Sequence, residues 1–143
     1  MEIRKVLSAN DIGLTGTHQA GMLVPKSDPE LLRFFPPLNY RALNPRADFR
    51  VHIPELSLRT TLQFIYYNNK RVANGTRDEF RLTGLTSIFR DLHAEPDDCL
   101  VLADTERDEV ILTLQRRNDR AGVSQPSRLQ IKGWTVTRKD ITA

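Results

Sequence analysis

At 143 residues, 39% apolar and 27% charged, the chain is long enough to bury one core and too apolar to be disordered. Its net charge of +3 and isoelectric point near 9.3 point only weakly toward a polyanionic partner, and no run approaches the roughly 20 apolar residues of a membrane span. One cysteine, Cys99, excludes an internal disulfide. With only His18, His52 and His93 beside it, a zinc centre is not expected either.

The first run, residues 3–7 (IRKVL), alternates apolar and charged residues and predicts a strand. Residues 8–21 (SANDIGLTGTHQAG) form a polar loop containing three glycines, and residues 21–25 (GMLVP) a second short strand. Asp28, Pro29 and Glu30 start a helix: Asp28 caps, Pro29 suits the first position, and Glu30 favours the positive end of the dipole. The helix turns Leu31, Leu32, Phe34 and Phe35 inward and stops before Pro36 and Pro37. Residues 39–46 read as a loop. Strands follow over residues 49–53 and 60–67 (TTLQFIYY), the latter rich in β-branched and aromatic residues.

A second polar loop spans residues 68–81 (NNKRVANGTRDEFR). Asn74 and Gly75 sit at its expected tip, where they tolerate the positive φ of a tight reversal, and residues 80–82 are the return strand. Residues 83–92 predict a short helix with Leu85, Ile88, Phe89 and Leu92 on one face. Residues 99–102 and 110–114 predict a hairpin, residues 118–127 a polar loop, and residues 129–136 a last strand with Trp134 in the core. Many short strands and two short helices in a single 1–143 domain predict a mostly β fold, an antiparallel barrel or half-open barrel.

Charge is segregated. Residues 66–90 hold five basic residues against two acidic, residues 91–110 one against eight, and residues 111–139 seven against one. A polyanion is therefore attracted to some faces and repelled by another. The glycine-rich first loop lacks the Gly-Lys-Ser/Thr end of a phosphate-binding loop, and no Gly-x-Ser-x-Gly turn occurs. Pro96-Asp97 opens a metal-dependent nuclease pattern, but Asp108-Glu109 is followed by Val110 and Ile111 with no lysine at the required offset. A small nuclease using residues 95–109 is thus the weaker alternative, and an interaction module with no nucleic-acid role is a third.

Arg77, Glu79 and Arg81 recur every second residue, which puts them on one side of an extended segment. Arg reads guanine and Glu accepts from cytosine. An acid between two arginines suits base edges better than phosphates, with Lys5, Lys26, Lys70 and Arg71 left to hold phosphates. The same triplet also fits a surface ion-pair ladder worth little energetically. Likewise His18 fits a structural hydrogen-bonding role, and Asn10, Asp11 and Thr15 fit side-chain ties within their own loop. Tyr66 and Tyr67 read as core and sheet-face residues. Arg116, Arg117 and Arg120 are either a second phosphate contact or a solvated end.

The blocks SAND-x-G-x-TG-x-HQ-x-G, FFP, LNP, IYYN-x-K and GTR-x-E-x-R resemble the N-terminal effector domain of EcoRII-type restriction endonucleases, a B3-like DNA-binding pseudobarrel. The resemblance runs from Ser8 to about Arg81 and is thin beyond Leu82. It implies a seven-stranded open β-barrel with short α-helices. Two arms, the loops above, would enter the major groove of double-stranded DNA at a short CCWGG-like site. It also implies no catalytic centre and no cofactor in this chain, with cutting left to a covalently linked domain. By the resemblance, Arg77, Glu79 and Arg81 match the base-reading segment of the second arm, Asn10, Asp11, Thr15, His18 and Gln19 match the first arm, and Lys26 and Lys70 match its flanking basic positions, while Thr17 sits at a variable place. With the charge reading added, Arg81, Glu79, Arg77, His18, Gln19, Asn10, Asp11 and Thr17 are expected to face bases, and Lys26, Lys70, Arg71, Lys5, Thr15 and Asn69 to face phosphates. Residues 71–75 (RVANG) lengthen the second arm relative to the family. With no apolar leader in MEIRKVLSAND, a monomeric domain in the cytoplasm of a prokaryotic cell is expected.

Overall fold

A computed structural model describes residues 1–14, 21–120 and 133–137. The strands are β1 (Glu2–Val6), β2 (Met22–Val24), β3 (Arg46–Ile53), β4 (Leu58–Tyr67), β5 (Glu79–Thr83), β6 (Cys99–Asp104), β7 (Val110–Gln115) and β8 (Trp134–Thr137). Short helices α1 (Pro29–Leu32), α2 (Asn69–Val72) and α3 (Thr86–Asp91) lie between them. All eight strands form one sheet in the order β2-β5-β4-β3-β7-β6-β1-β8. Every neighbouring pair is antiparallel except β3 and β7, which run parallel through Val51↔Val110 and His52↔Ile111.

Alternation explains the sheet. In β3, Phe49, Val51 and Ile53 are buried while Arg46, Asp48 and Arg50 are exposed, as a strand with one face on the core requires. β3 starts at Arg46, in the predicted loop, because it pairs with the ten-residue β4 as far as Arg46↔Ile65. Helix α1 begins as expected, with Leu31 N–H donating to Asp28 Oδ1 at 3.1 Å. It ends at Leu32, three residues early: Phe34 and Phe35 N–H bond three residues back, to Leu31 and Leu32, a tightening that precedes the two prolines. Both rings are buried nonetheless. Leu85, Ile88, Phe89 and Leu92 are all buried around α3, and Cys99 is buried in β6.

The core is strung along a file of rings. Tyr66 stacks on Phe80 at 4.4 Å, Phe80 on Phe64 at 5.4 Å, and Phe64 on Phe35 at 4.5 Å. Phe35 then meets Trp134 edge-on at 6.4 Å. Trp134 sits on edge strand β8 and its indole N–H donates to the Leu23 carbonyl of the opposite edge, β2, at 3.1 Å. The sheet therefore curls until its two edges meet at one side chain, giving a mostly β, open pseudobarrel of the kind the resemblance implies. Eight strands are present where the resemblance implies seven; the edges β2 and β8 are the shortest, with three and four residues, and a short edge strand alters the count without altering the barrel. No helix among the described residues is long and apolar enough to cross a membrane.

Trp134→Phe removes the seam bond and takes its donor from the half-buried Leu23 carbonyl beside a smaller ring. Such changes cost about 2–4 kcal/mol together. Urea denaturation monitored by circular dichroism is expected to show that loss, and a stability equal to wild type would show that the seam does not hold the edges.

Candidate functional site

Strand β5 carries the site. Arg77, Glu79 and Arg81 share one side of the segment leading into and along it, as the spacing of two predicts. Glu79 binds both arginines. Its Oε1 accepts from Arg77 Nε at 2.9 Å, and its Oε2 accepts from Arg81 Nη2 at 2.9 Å and Nε at 3.2 Å. Burial pushes the Glu79 carboxyl up, but the hydrogen bonds from Arg77 and Arg81 outweigh it and hold the group below its ordinary range. Arg77 also lies over the Tyr67 ring, 3.7 Å from its centroid, a cation–π contact on the paired strand β4. The ion-pair ladder foreseen from the spacing is therefore present, but partly buried: the Arg81 side chain is 12% exposed against 39% for Arg77.

The two polar loops leave the sheet at opposite ends of β5. The second loop enters β5 at Asp78. The first returns at Gly21, which lies beside Thr83 because Met22 pairs with Leu82. A Cβ on Gly21 would stand 2.4 Å from the Leu82 carbonyl, and its φ is +82°, so only glycine allows this approach. Arg81 Nη1 donates to the Gly21 carbonyl at 3.1 Å, tying the triplet to the root of the first arm. Five residues of extended chain from Asp78 to Thr83 separate the arm roots by about 17 Å.

At the other root of the first arm, Lys5 is buried and its ammonium donates to Asp11 Oδ2 at 2.8 Å and to the Val6 carbonyl at 3.0 Å. The same Asp11 oxygen accepts from Ser8 N–H at 2.9 Å, while Asp11 N–H donates to Ser8 Oγ. Lys5 is thus inside the fold rather than on the surface where a phosphate contact needs it, and Asp11 ties its own loop. Asn10 is half-buried in the same turn, its carbonyl accepting from Gly13 N–H. Thr15, Thr17, His18 and Gln19 lie outside the described residues.

The second arm is not a tight reversal at Asn74-Gly75. Neither residue has positive φ. Instead α2 folds over Asn69, whose Oδ1 accepts from Arg77 N–H at 2.7 Å. A Cβ on Gly75 would sit 2.2 Å from the Asn69 carboxamide carbon, so this glycine provides space and not a dihedral. Asn69, expected at a phosphate, braces the arm from within. Lys70 is exposed. Beneath the arm, Asn68 is fully buried; its Oδ1 accepts from Asn44 N–H and its Nδ2 donates to the Ala42 carbonyl, both at 2.8 Å. Asn68 was not among the expected site residues, since asparagine in a polar loop carries no local sign of burial.

Lys26 and Arg71 meet on one carboxylate that the sequence did not single out. Asp78 Oδ2 accepts from Lys26 Nζ at 2.9 Å and from Arg71 Nε at 3.2 Å, while Tyr66 donates its hydroxyl to Asp78 Oδ1. The Lys26, Tyr66 and Arg71 hydrogen bonds, in that order, hold the Asp78 carboxyl far below its usual range. Tyr66 is a core residue and Tyr67 a sheet-face residue, as expected.

The acidic segment is built differently. Asp98 is buried and accepts from Glu95 and Arg117 N–H at 2.8 Å each, and Arg116 donates to the Leu92 and His93 carbonyls that end α3. Arg117 reaches Asp97 at 3.9 Å, and the side chain of Arg120 lies outside the described residues. Asp104, Asp108 and Glu109 line a groove of about 440 Å³ together with Phe35, Arg50 and Arg107. No three His, Cys, Asp or Glu side chains among the described residues are grouped to hold a metal ion. The turn lies beyond the Glu2 end of β1, whereas the first arm leaves β1 at its other end.

Lys5→Ala is expected to lower stability by about 3–5 kcal/mol, because it strands Asp11 as an uncompensated, largely buried charge. A thermal melt checks this, and an unchanged midpoint would return Lys5 to the surface set.

Residues 2–109 match the family model described as restriction endonuclease EcoRII, N-terminal. Over 135 residues the chain is 33% identical to the type II restriction enzyme EcoRII of Escherichia coli, covering 76% of this chain and 32% of that enzyme. It spans about a third of that relative's length. In fold it is similar to the UbaLAI restriction endonuclease B3 domain, solved with cognate DNA (TM-score 0.57, 19% identity, 94% of this chain and 84% of the other). It is also similar to FUS3 of Arabidopsis, solved as a DNA complex (TM-score 0.56, 12% identity, 79% and 94%). With the family model covering most of the chain and the fold in agreement, this chain belongs to the EcoRII N-terminal domain family.

Proposed function

We propose that the chain is a sequence-specific double-stranded DNA-binding domain, the effector or target-recognition part of a type II, IIE-like restriction endonuclease. It reads a short CCWGG-like site through two arms in the major groove and leaves cutting to a covalently linked catalytic domain. One observation carries the reading: Glu79 and Arg81 lie along β5 between the roots of two polar arms about 17 Å apart, and Arg77, one residue before the second root, is held to the same Glu79. A major groove about 12 Å wide fits between such arms, and the triplet then faces its floor. Family membership and DNA-bound relatives of the same fold support it.

The chemistry follows from the pairings. Arg77 and Arg81 are each held by one oxygen of Glu79, so their guanidiniums are ordered before DNA arrives. A bidentate guanidinium–guanine contact is geometrically strict, and pre-ordering lowers the entropy lost on binding. Glu79 supplies an acceptor for a cytosine amino group and disfavours a phosphate in the same place. Exposed Lys70 adds a sequence-independent charge contact. The acidic turn beyond the far end of β1 from the first arm repels DNA, which orients the duplex toward the arms. The domain, spanning the whole chain, acts as a monomer in the cytoplasm of a prokaryotic cell.

Arg81→Ala is expected to reduce the preference for a CCWGG duplex over a scrambled one by about 1–3 kcal/mol. Lys70→Ala is expected to weaken binding to both equally and to lower the salt slope by about one. Mobility shifts on the two duplexes over a salt series measure both. A site preference unchanged in Arg81→Ala would refute the base-reading role.

A further inference from the structure

We propose that Asp78 is a positioning residue: it gathers Lys26 and Arg71 into a clamp for one phosphate of the DNA backbone at the foot of the second arm. The inference rests on the DNA-binding reading above and names a residue for which neither the spacing nor the family blocks indicated a role. Lys26 follows β2 and Arg71 lies in α2, 45 residues further along. Both donate to the same oxygen, Asp78 Oδ2.

Three observations give the cluster a direction. The Asp78 side chain is 10% exposed, while Lys26 and Arg71 are 53% and 65% exposed. An approaching anion therefore meets the two cations first and the carboxylate behind them. The other Asp78 oxygen is held by the Tyr66 hydroxyl, and Tyr66 begins the ring file that runs through the core. The carboxylate is thus fixed to the rigid part of the fold rather than to the arm. Finally, three donors keep it ionised well into acid, so a fall in pH does not release the cations.

Two long flexible side chains otherwise lose their rotamer freedom only when a phosphate binds. Here they are confined beforehand. The competing role for the same carboxylate is plain repulsion of DNA, and the two roles predict opposite signs. If Asp78 positions, removing its charge weakens binding. If it only repels, removing its charge tightens binding.

The test is Asp78→Asn, with wild type and Lys26→Ala/Arg71→Ala, in fluorescence anisotropy against CCWGG and scrambled duplexes over a salt series. Melting curves keep every measurement below the unfolding transition. The clamp predicts that Asp78→Asn weakens binding to both duplexes about three- to tenfold, with a salt slope lower by about one. It also predicts that adding Asp78→Asn to the double variant changes nothing more. Equal or tighter binding by Asp78→Asn overturns the clamp while leaving the domain's DNA binding intact, as does a loss of the same size in the double-variant background. Absence of binding to either duplex by the wild-type chain would instead overturn the DNA-binding reading itself and the clamp with it.

Discussion

An open sheet of eight strands has two edges, and joining them is the constraint on which this molecule depends. A single indole bond from Trp134 to Leu23 spans β8 and β2. The stacked rings of Phe35, Phe64, Phe80 and Tyr66 continue from Trp134 across the core to the foot of the second arm. A hydrogen bond contributes about 1 kcal/mol net, and this one ties a half-buried carbonyl of one edge to the other. The rings contribute far more through buried area. Between them they fix where β2 lies, and β2 carries both the root of the first arm at Gly21 and the cation Lys26.

Electrostatics is arranged on that frame by pairing. Many cations near the arms are held by a carboxylate: Lys5 by Asp11, Lys26 and Arg71 by Asp78, Arg77 and Arg81 by Glu79. In the last two groups Lys26, Arg71 and Arg77 are exposed, and exposed ion pairs stabilise a fold very little, whereas Asp78 and Arg81 are 10% and 12% exposed. Their effect is on the side chains themselves, which are confined to defined positions on and beside β5. The Lys5–Asp11 pair is different: it is largely buried and surrounded by backbone partners, where breaking a pair is costly.

Much of the fold was legible because it is local. Eight apolar or alternating runs mark the eight strands, and Asp28-Pro29 marks the helix start, since period and capping act within a few residues. The triplet on β5 was equally legible, because residues two apart on extended chain share a side whatever surrounds them. The family blocks pointed to the same segments. What misled was chemistry read without neighbours. By its charge Lys5 reads as a phosphate-facing cation, although alternation alone places it on the same face as Ile3 and Leu7, both buried. Asn74-Gly75 has the composition of a tight turn, yet the loop closes through Asn69 and a space that only Gly75 leaves open.

The sequence by itself therefore determined the strand segments, the helices α1 and α3, the two polar loops and the common side of Arg77, Glu79 and Arg81. These depend on backbone period and short-range sterics. Only the tertiary structure decided which carboxylate meets which cation and which ring reaches which carbonyl. Lys26 and Asp78 are 52 residues apart, and Trp134 and Leu23 are 111 apart. No local preference encodes such meetings; they follow from strand order and register, set when the whole core is buried at once.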